Sequence, residues 1–297
     1  MSMSVGLPHP RLKKQDVSSL PRLVFPGKTF IINSACEEQS FANVISKLVR
    51  SKVLGFDTET KPNFVASTKV PRPPALVQLA CNDLCIIWRL QRCGSSRSET
   101  IPPLLADILT SSDILKVGHA ATNDAIDLLK HYSVNTRNVL DTYHFATKLQ
   151  LSVFSLQGLV AVLMGRRLCK SQKTSNWEKW VLTDSQVKYA SADAWASLKI
   201  YQAMTCLAAS KGCNPPLPMD SAMDLLKPKE KEACEVALRK IRQSPAHNNL
   251  LHTCLLLHRL MQICKVMWSW MKGKIFSVRK TDTSLGREDT WLRQDHS

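Results

Sequence analysis

The chain has 297 residues, 44% of them hydrophobic, enough to bury a sizeable core and too apolar for global disorder. Its 40 Lys and Arg against 24 Asp and Glu give a net charge of +16, spread over the N-terminal 50 residues, residues 51–206 and residues 207–297 alike. That balance selects nucleic acid, an anionic membrane or an acidic protein as partner.

Ten irregularly spaced cysteines without a CxxC pair argue against a zinc ribbon or finger. With no N-terminal apolar h-region, they point to reduced thiols inside the cell. Nucleus or cytoplasm is favoured; a mitochondrion or other organelle stays open because the first 30 residues are basic.

Residues 1–28 read as a flexible basic leader, interrupted by Pro8, Pro10, Pro21 and Pro26. TFIINSA (29–35) reads as a strand, and residues 38–51 as a helix with Phe41, Val44, Ile45 and Leu48 at helical spacing. VLGFDTE (53–59) is the next strand. A basic, Pro-rich connection leads to two more, ALVQLAC (75–81) and LCIIWRL (84–90), joined at Asn82-Asp83. PPLLADILTS reads as a helix, ILKVG (114–118) as a short strand, NDAIDLLKHY (123–132) as an amphipathic helix. NVLDTYHFATKL starts as strand or turn and becomes helix.

The longest uncharged run, residues 149–165, is short for a membrane span and contains four polar residues, so it reads as a buried helix. Thr183-Asp184-Ser185-Gln186 matches a capping box opening a helix to about residue 206. The pattern predicts one mixed α/β sheet flanked by helices. GCNPPLP (212–218) marks a boundary, and residues 209–297 read as a basic, partly helical extension. Its helical stretches lie around 229–242 and 249–272, and its last 25 or so residues read as disordered. Arg259, Lys265, His252 and His258 make the second stretch a poor membrane span. It suits an amphipathic helix docking on the rest of the chain, on a protein partner or on a membrane surface.

Four acids can share one site in this architecture. Asp57 and Glu59 stand two apart on a strand, so both point to one face. Asp124 follows the strand ILKVG at a helix start. Asp193 lies one helical turn after Tyr189, on the same helix face. Close carboxylates repel, and hard divalent cations such as Mg²⁺ or Mn²⁺ remove that repulsion. Two such ions can activate a water and stabilise a leaving oxygen on a phosphate, with Tyr189 orienting the water or helping to deprotonate it.

GFDTET, KVGHAATND and YASAD, in this order, resemble the three motifs of the DEDD superfamily of 3′-to-5′ exonucleases, in the subgroup with a tyrosine in the third motif. The likeness is greatest to Werner-syndrome-type exonuclease domains and related exonuclease-domain-containing proteins. LVQLA (76–80), LDT (140–142), SLQGLV (155–160), SNW (175–177) and LTDSQVKYASADA (182–194) extend it over about residues 30–206. The sister subgroup has histidine five residues before the last acid, where this chain has Lys188.

The resemblance implies a ribonuclease-H-like fold with the exonuclease domain at 29–208 and two metal ions at Asp57, Glu59, Asp124 and Asp193. It also implies tyrosine-assisted removal of nucleoside 5′-monophosphates from a nucleic acid 3′ end, DNA or RNA. The alternative is a nucleic-acid-binding or scaffold protein that keeps the fold without catalysis; a polymerase would need far more chain. The chain departs from the pattern at Thr60-Lys61, where relatives often have an aromatic residue, and at His119–Asn123, where they have a glycine-rich turn.

Asp127 is the rival of Asp124 and reads as a surface acid. Asp141 reads as a brace or helix cap, and His119 as a structural turn residue or a contact to the terminal nucleotide. The basic stretch 166–180 offers Arg166, Arg167, Lys170 and Lys173 to phosphates, and Trp177 either to a base or to the core.

Overall fold

The apolar run before Asp57 becomes the central strand of a seven-stranded sheet. The computed structural model describes residues 14–63, 71–90 and 101–243. The chain divides into two units, residues 1–236 and 237–297; of the second, only 237–243 are among the described residues. The predicted helix at 249–272 and the terminal segment lie outside them.

In chain order the elements are α1 (Lys14–Ser19), β1 (Lys28–Ile32), α2 (Ala35–Glu38), a 3-10 turn (Gln39–Phe41), α3 (Ala42–Val49), β2 (Val53–Glu59), β3 (Leu76–Ala80) and β4 (Leu84–Arg89). Then come α4 (Pro103–Thr110), β5 (Leu115–Gly118), α5 (Ala121–Tyr132), β6 (Arg137–Asp141), α6 (Thr142–Lys148), α7 (Leu156–Met164) and α8 (Asp184–Ser210). After β7 (Met219–Ser221) and a 3-10 turn (Ala222–Leu225), α9 (Pro228–Gln243) closes the series.

The sheet order is β1-β4-β3-β2-β5-β6-β7. β2 runs antiparallel to β3 and parallel to β5, with Asp57 opposite Gln78 and Gly55 opposite Val117. The mixed sheet flanked by helices agrees with the sequence reading. β3 and β4 are buried along their whole length, as strands covered on both faces must be.

α8 opens at the predicted capping box: Thr183 accepts from the Gln186 N–H, and the Gln186 side chain accepts from the Thr183 N–H at 2.9 Å. The helix lies directly on β2 because residue 55 is glycine. A Cβ there would stand 2.0 Å from the Ala194 carbonyl oxygen. Gly55, Asp57 and Glu59 share one face of β2, so this approach sets the residue before Ala194, Asp193, beside the two strand acids.

Two domain boundaries shift from the sequence reading. Leu23 and Phe25, inside the predicted leader, are buried in the core, and Phe25 meets Trp195 edge-on with centroids 5.8 Å apart. The Leu23 N–H donates to the Arg167 carbonyl at 2.8 Å, and the Arg167 N–H to the Pro21 carbonyl at 2.9 Å. Residues 20–25 therefore form a strap tied to the folded unit. At the other end, β7 pairs antiparallel with β6 beyond the predicted boundary at residue 208. The MDS triplet is too short and polar to announce a strand.

Candidate active site

Ligand oxygens of Asp57, Glu59 and Asp193 lie within 4.8 Å of one another. Glu59 and Asp193 are buried, while Asp57 is partly covered at the strand end. One oxygen of Asp193, Oδ1, is buried without a hydrogen-bond partner. The phenol of Tyr189, one turn earlier on α8, lies near enough to that carboxyl to influence its ionisation. Asp124 stands outside the compact trio, and its Oδ1 accepts from the Thr58 hydroxyl at 2.6 Å. Thr58 points away from the α8 face of β2 and so joins the first acidic strand to α5.

Every acid of the group is held towards its protonated form. Desolvation, then the charges of Glu59, Asp124 and Asp193, hold Asp57 well above the usual carboxylate range. Glu59 is pushed up to about 9 by burial and by Asp193 and Asp124, with Lys173 opposing. Asp124 and Asp193 both rise to about 7, chiefly through burial. The Tyr189 phenol is driven upward as well, by burial and by Asp193 and Glu59, so it is a firm hydrogen-bond donor. Convergent hard oxygens, an orphaned carboxylate atom and a shortage of nearby cations together fit a divalent metal site.

The turn that carries Asp124 is braced by Asp141. This carboxylate accepts from the backbone of Ala120 at 3.0 Å, Thr122 at 3.3 Å and Tyr143 at 2.9 Å, and from the Thr122 hydroxyl at 2.8 Å. It thus both caps α6 and fixes the entry to α5. Ala120 adopts left-handed φ 61°, the conformation that glycine accommodates without cost. His119 is structural: its Nε2 accepts from the Leu156 N–H at 3.1 Å and its Nδ1 lies 3.1 Å from the Thr142 hydroxyl. Asp127 is half-buried rather than fully exposed, and its charge helps to raise Asp124.

The basic stretch divides into exposed and packed residues. Arg166, Lys170 and Lys173 are exposed, and Lys173 is the one whose charge reaches Glu59. Arg167 is half-buried and its Nε donates to the Leu20 carbonyl at 3.3 Å, holding the strap. Trp177 is fully buried, with its ring centroid 5.9 Å from that of Tyr189. It offers no free face to a base, and base stacking by Trp177 is corrected to a core role behind the tyrosine. The loop before α8 is pinned by Gln186, which donates to the Ser175 hydroxyl and the Asn176 carbonyl at 2.9 and 3.0 Å. Lys61 and Arg72 pair with Glu178 at 3.1 and 3.3 Å, so the departure after Glu59 fastens this loop.

Sequence reasoning missed three supporting residues. Thr58 hides between the two acids, and Gly55 is explained only by the closeness of α8. Gln78 lies opposite Asp57 with its amide buried and unpartnered; no short motif marks it.

Residues 33–207 match the sequence profile of the 3'-5' exonuclease family. The chain belongs to that family. It is 31% identical over 194 residues to human exonuclease 3'-5' domain-containing protein 2, covering 62% of this chain and 30% of the relative. To the mouse bifunctional 3'-5' exonuclease/ATP-dependent helicase WRN it is 30% identical over 190 residues, covering 62% and 13% respectively. The chain thus spans less than a third of either relative. The crystal structure of the Aedes aegypti Nibbler EXO domain has the same fold, with a TM-score of 0.53 at 21% identity over 72% of this chain and 99% of that one. The family is one of nucleases, and the acid cluster lies within its matched exonuclease domain. No helix among the described residues is long and apolar enough to cross a membrane.

Proposed function

We propose that the protein is a metal-dependent 3′-to-5′ exonuclease that hydrolyses the terminal phosphodiester of DNA or RNA and releases nucleoside 5′-monophosphates. The observation that carries this reading is the convergence of Asp57, Glu59 and Asp193 within 4.8 Å, inside a segment matching the exonuclease family. A binding module gains nothing from clustered buried acids beside phosphates.

Asp57, Glu59, Asp124 and Asp193 would hold two divalent ions, Mg²⁺ or Mn²⁺. When bound, these supply an activated water and neutralise charge on the scissile phosphate. Asp57 and Glu59 stay in place because β2 is paired on both sides. Asp193 is set by the contact of α8 at Gly55, and Asp124 by Thr58 and by the Asp141 brace. Tyr189, protonated and backed by Trp177, acts as a donor that orients the attacking water. Lys173, with Arg166 and Lys170, supplies positive charge at the rim for the incoming strand.

The test is to incubate 5′-labelled single-stranded DNA, recessed duplex DNA and RNA with the protein in Mg²⁺ or Mn²⁺, beside Asp57→Ala and Asp193→Ala. Stepwise shortening from the 3′ end, lost in both variants, is the expected result. Intact substrates with undiminished binding would establish the scaffold alternative instead.

A further inference from the structure

The match to the exonuclease family begins at residue 33, yet the wall of the site begins earlier. A cavity of about 200 Å³ opens between the strap (Arg22–Val24), Leu168 and Cys169, and the part of α8 that bears Lys188, Tyr189 and Asp193. One side of this cavity is therefore the proposed catalytic face. The opposite side is a segment that the family profile does not include.

The strap is held there by more than chance contact. Its backbone is bonded on both sides of Arg22, through Pro21 and Leu23 to Arg167. Its alternate side chains, Leu23 and Phe25, enter the core. Strand-like alternation then turns Arg22 and Val24 outward to the cavity and solvent, and both are exposed. The guanidinium lies close enough to Cys169 to influence its thiol. Lys188 projects from α8 into the same space, one residue before Tyr189. Neither cation has a carboxylate within ion-pair distance among the described residues.

We infer that Arg22 and Lys188 form a phosphate-binding subsite for the strand entering the catalytic face, with Arg22 supplied by the N-terminal strap. Two unpaired cations across a cavity of nucleotide dimensions, with Leu23, Leu168 and Ala192 as apolar lining, suit a phosphodiester beside a sugar or base. This inference rests on the exonuclease reading for the identity of the strand. Arg22 contributes to substrate affinity and to the direction of entry, whereas the acids and Tyr189 carry the chemistry.

The experiment measures binding of a single-stranded oligonucleotide to the metal-free protein by fluorescence anisotropy across a salt series, and KM and kcat in Mn²⁺. Arg22→Ala, Arg22→Lys and Lys188→Ala are compared with wild type. Arg50→Ala removes equal charge beyond the opposite end of β2 and serves as control. Arg22→Ala is expected to weaken binding about 3- to 10-fold and to lower the salt slope by about 0.7, the value for one phosphate contact on a single strand. Its kinetic loss falls on KM, Arg22→Lys recovers most of it, and Lys188→Ala behaves like Arg22→Ala. Wild-type affinity and salt slope in Arg22→Ala, a loss of the same size in Arg50→Ala, or no binding even by wild type would overturn the subsite. Arg22-dependent binding without strand shortening would instead count against the exonuclease reading alone.

Discussion

Replacing Gly55 by alanine tests whether the closeness of α8 to β2 builds the carboxylate cluster. The added Cβ would lie 2.0 Å from the Ala194 carbonyl oxygen, 2.8 Å from its carbon and 3.2 Å from Leu198 Cβ. The two closest obstacles are backbone, so no side-chain rotation relieves them. In a close-packed interior the helix must recede by more than about 1 Å. Overpacking of this kind costs about 1–3 kcal/mol, or a fall in Tm of about 3–10 °C for a domain of this size.

The functional loss should exceed the stability loss. Asp193 immediately precedes Ala194, and metal ligation tolerates displacements of only about 0.2 Å. Misplacement on the scale of 1 Å costs about 100-fold in rate. Thermal denaturation, Mn²⁺ titration and turnover on a single-stranded oligonucleotide measure the three effects. A Gly55→Ala protein with wild-type Tm and turnover would refute the argument that this contact positions Asp193.

Other consequences concern charge and backbone strain. The acids with raised pKa bind more protons folded than unfolded, so the metal-free protein should lose stability as pH rises from about 4 towards 9, and Mn²⁺ should reverse the trend; urea titrations at several pH values with and without metal measure this. Lys116 is fully buried, donates to the Ile108 and Ser111 carbonyls, and is pushed down to about 7 by desolvation and by Arg137. Its cost is fully present below pH 7 and vanishes as pH rises through the unfolded value of 10.5. Lys116→Met should therefore gain about 1–3 kcal/mol near pH 7, after allowing for the two abandoned carbonyls, and show no gain from this source above pH 10.5. Ala120→Gly should raise stability by about 1 kcal/mol by relieving left-handed φ, read as a higher urea midpoint with an unchanged slope. Tyr189→Phe should lower kcat by about 100-fold while Mn²⁺ binding, followed by calorimetry, survives.

Much of this architecture was legible in the residue order. Apolar runs located β2 to β5, and Thr183 with Gln186 announced α8 because a capping box satisfies two otherwise unpaired N–H groups at once. Asp57, Glu59 and Asp193 were identifiable through their motifs and do converge. What stayed hidden depends on long-range packing. The sequence offers Trp177 to a base or, by preference, to the core, and its full burial behind Tyr189 decides the matter. Leu23 and Phe25 sit among prolines in a stretch with no motif, so their burial follows from the bond to Arg167 rather than from local pattern. A lysine on a short strand gives no sign that its amine ends against two carbonyls, as Lys116 does.

The central claim is that the closely spaced, buried carboxyl groups on β2 and α8 serve to hold divalent cations. Calorimetric titration of Mn²⁺ into the metal-free protein, repeated in buffers of different ionisation enthalpy, tests it most directly. The account predicts two ions per chain, proton release on binding at pH 7, and a marked loss of affinity in Asp193→Asn. No saturable binding, or binding that Asp193→Asn leaves untouched, would contradict it.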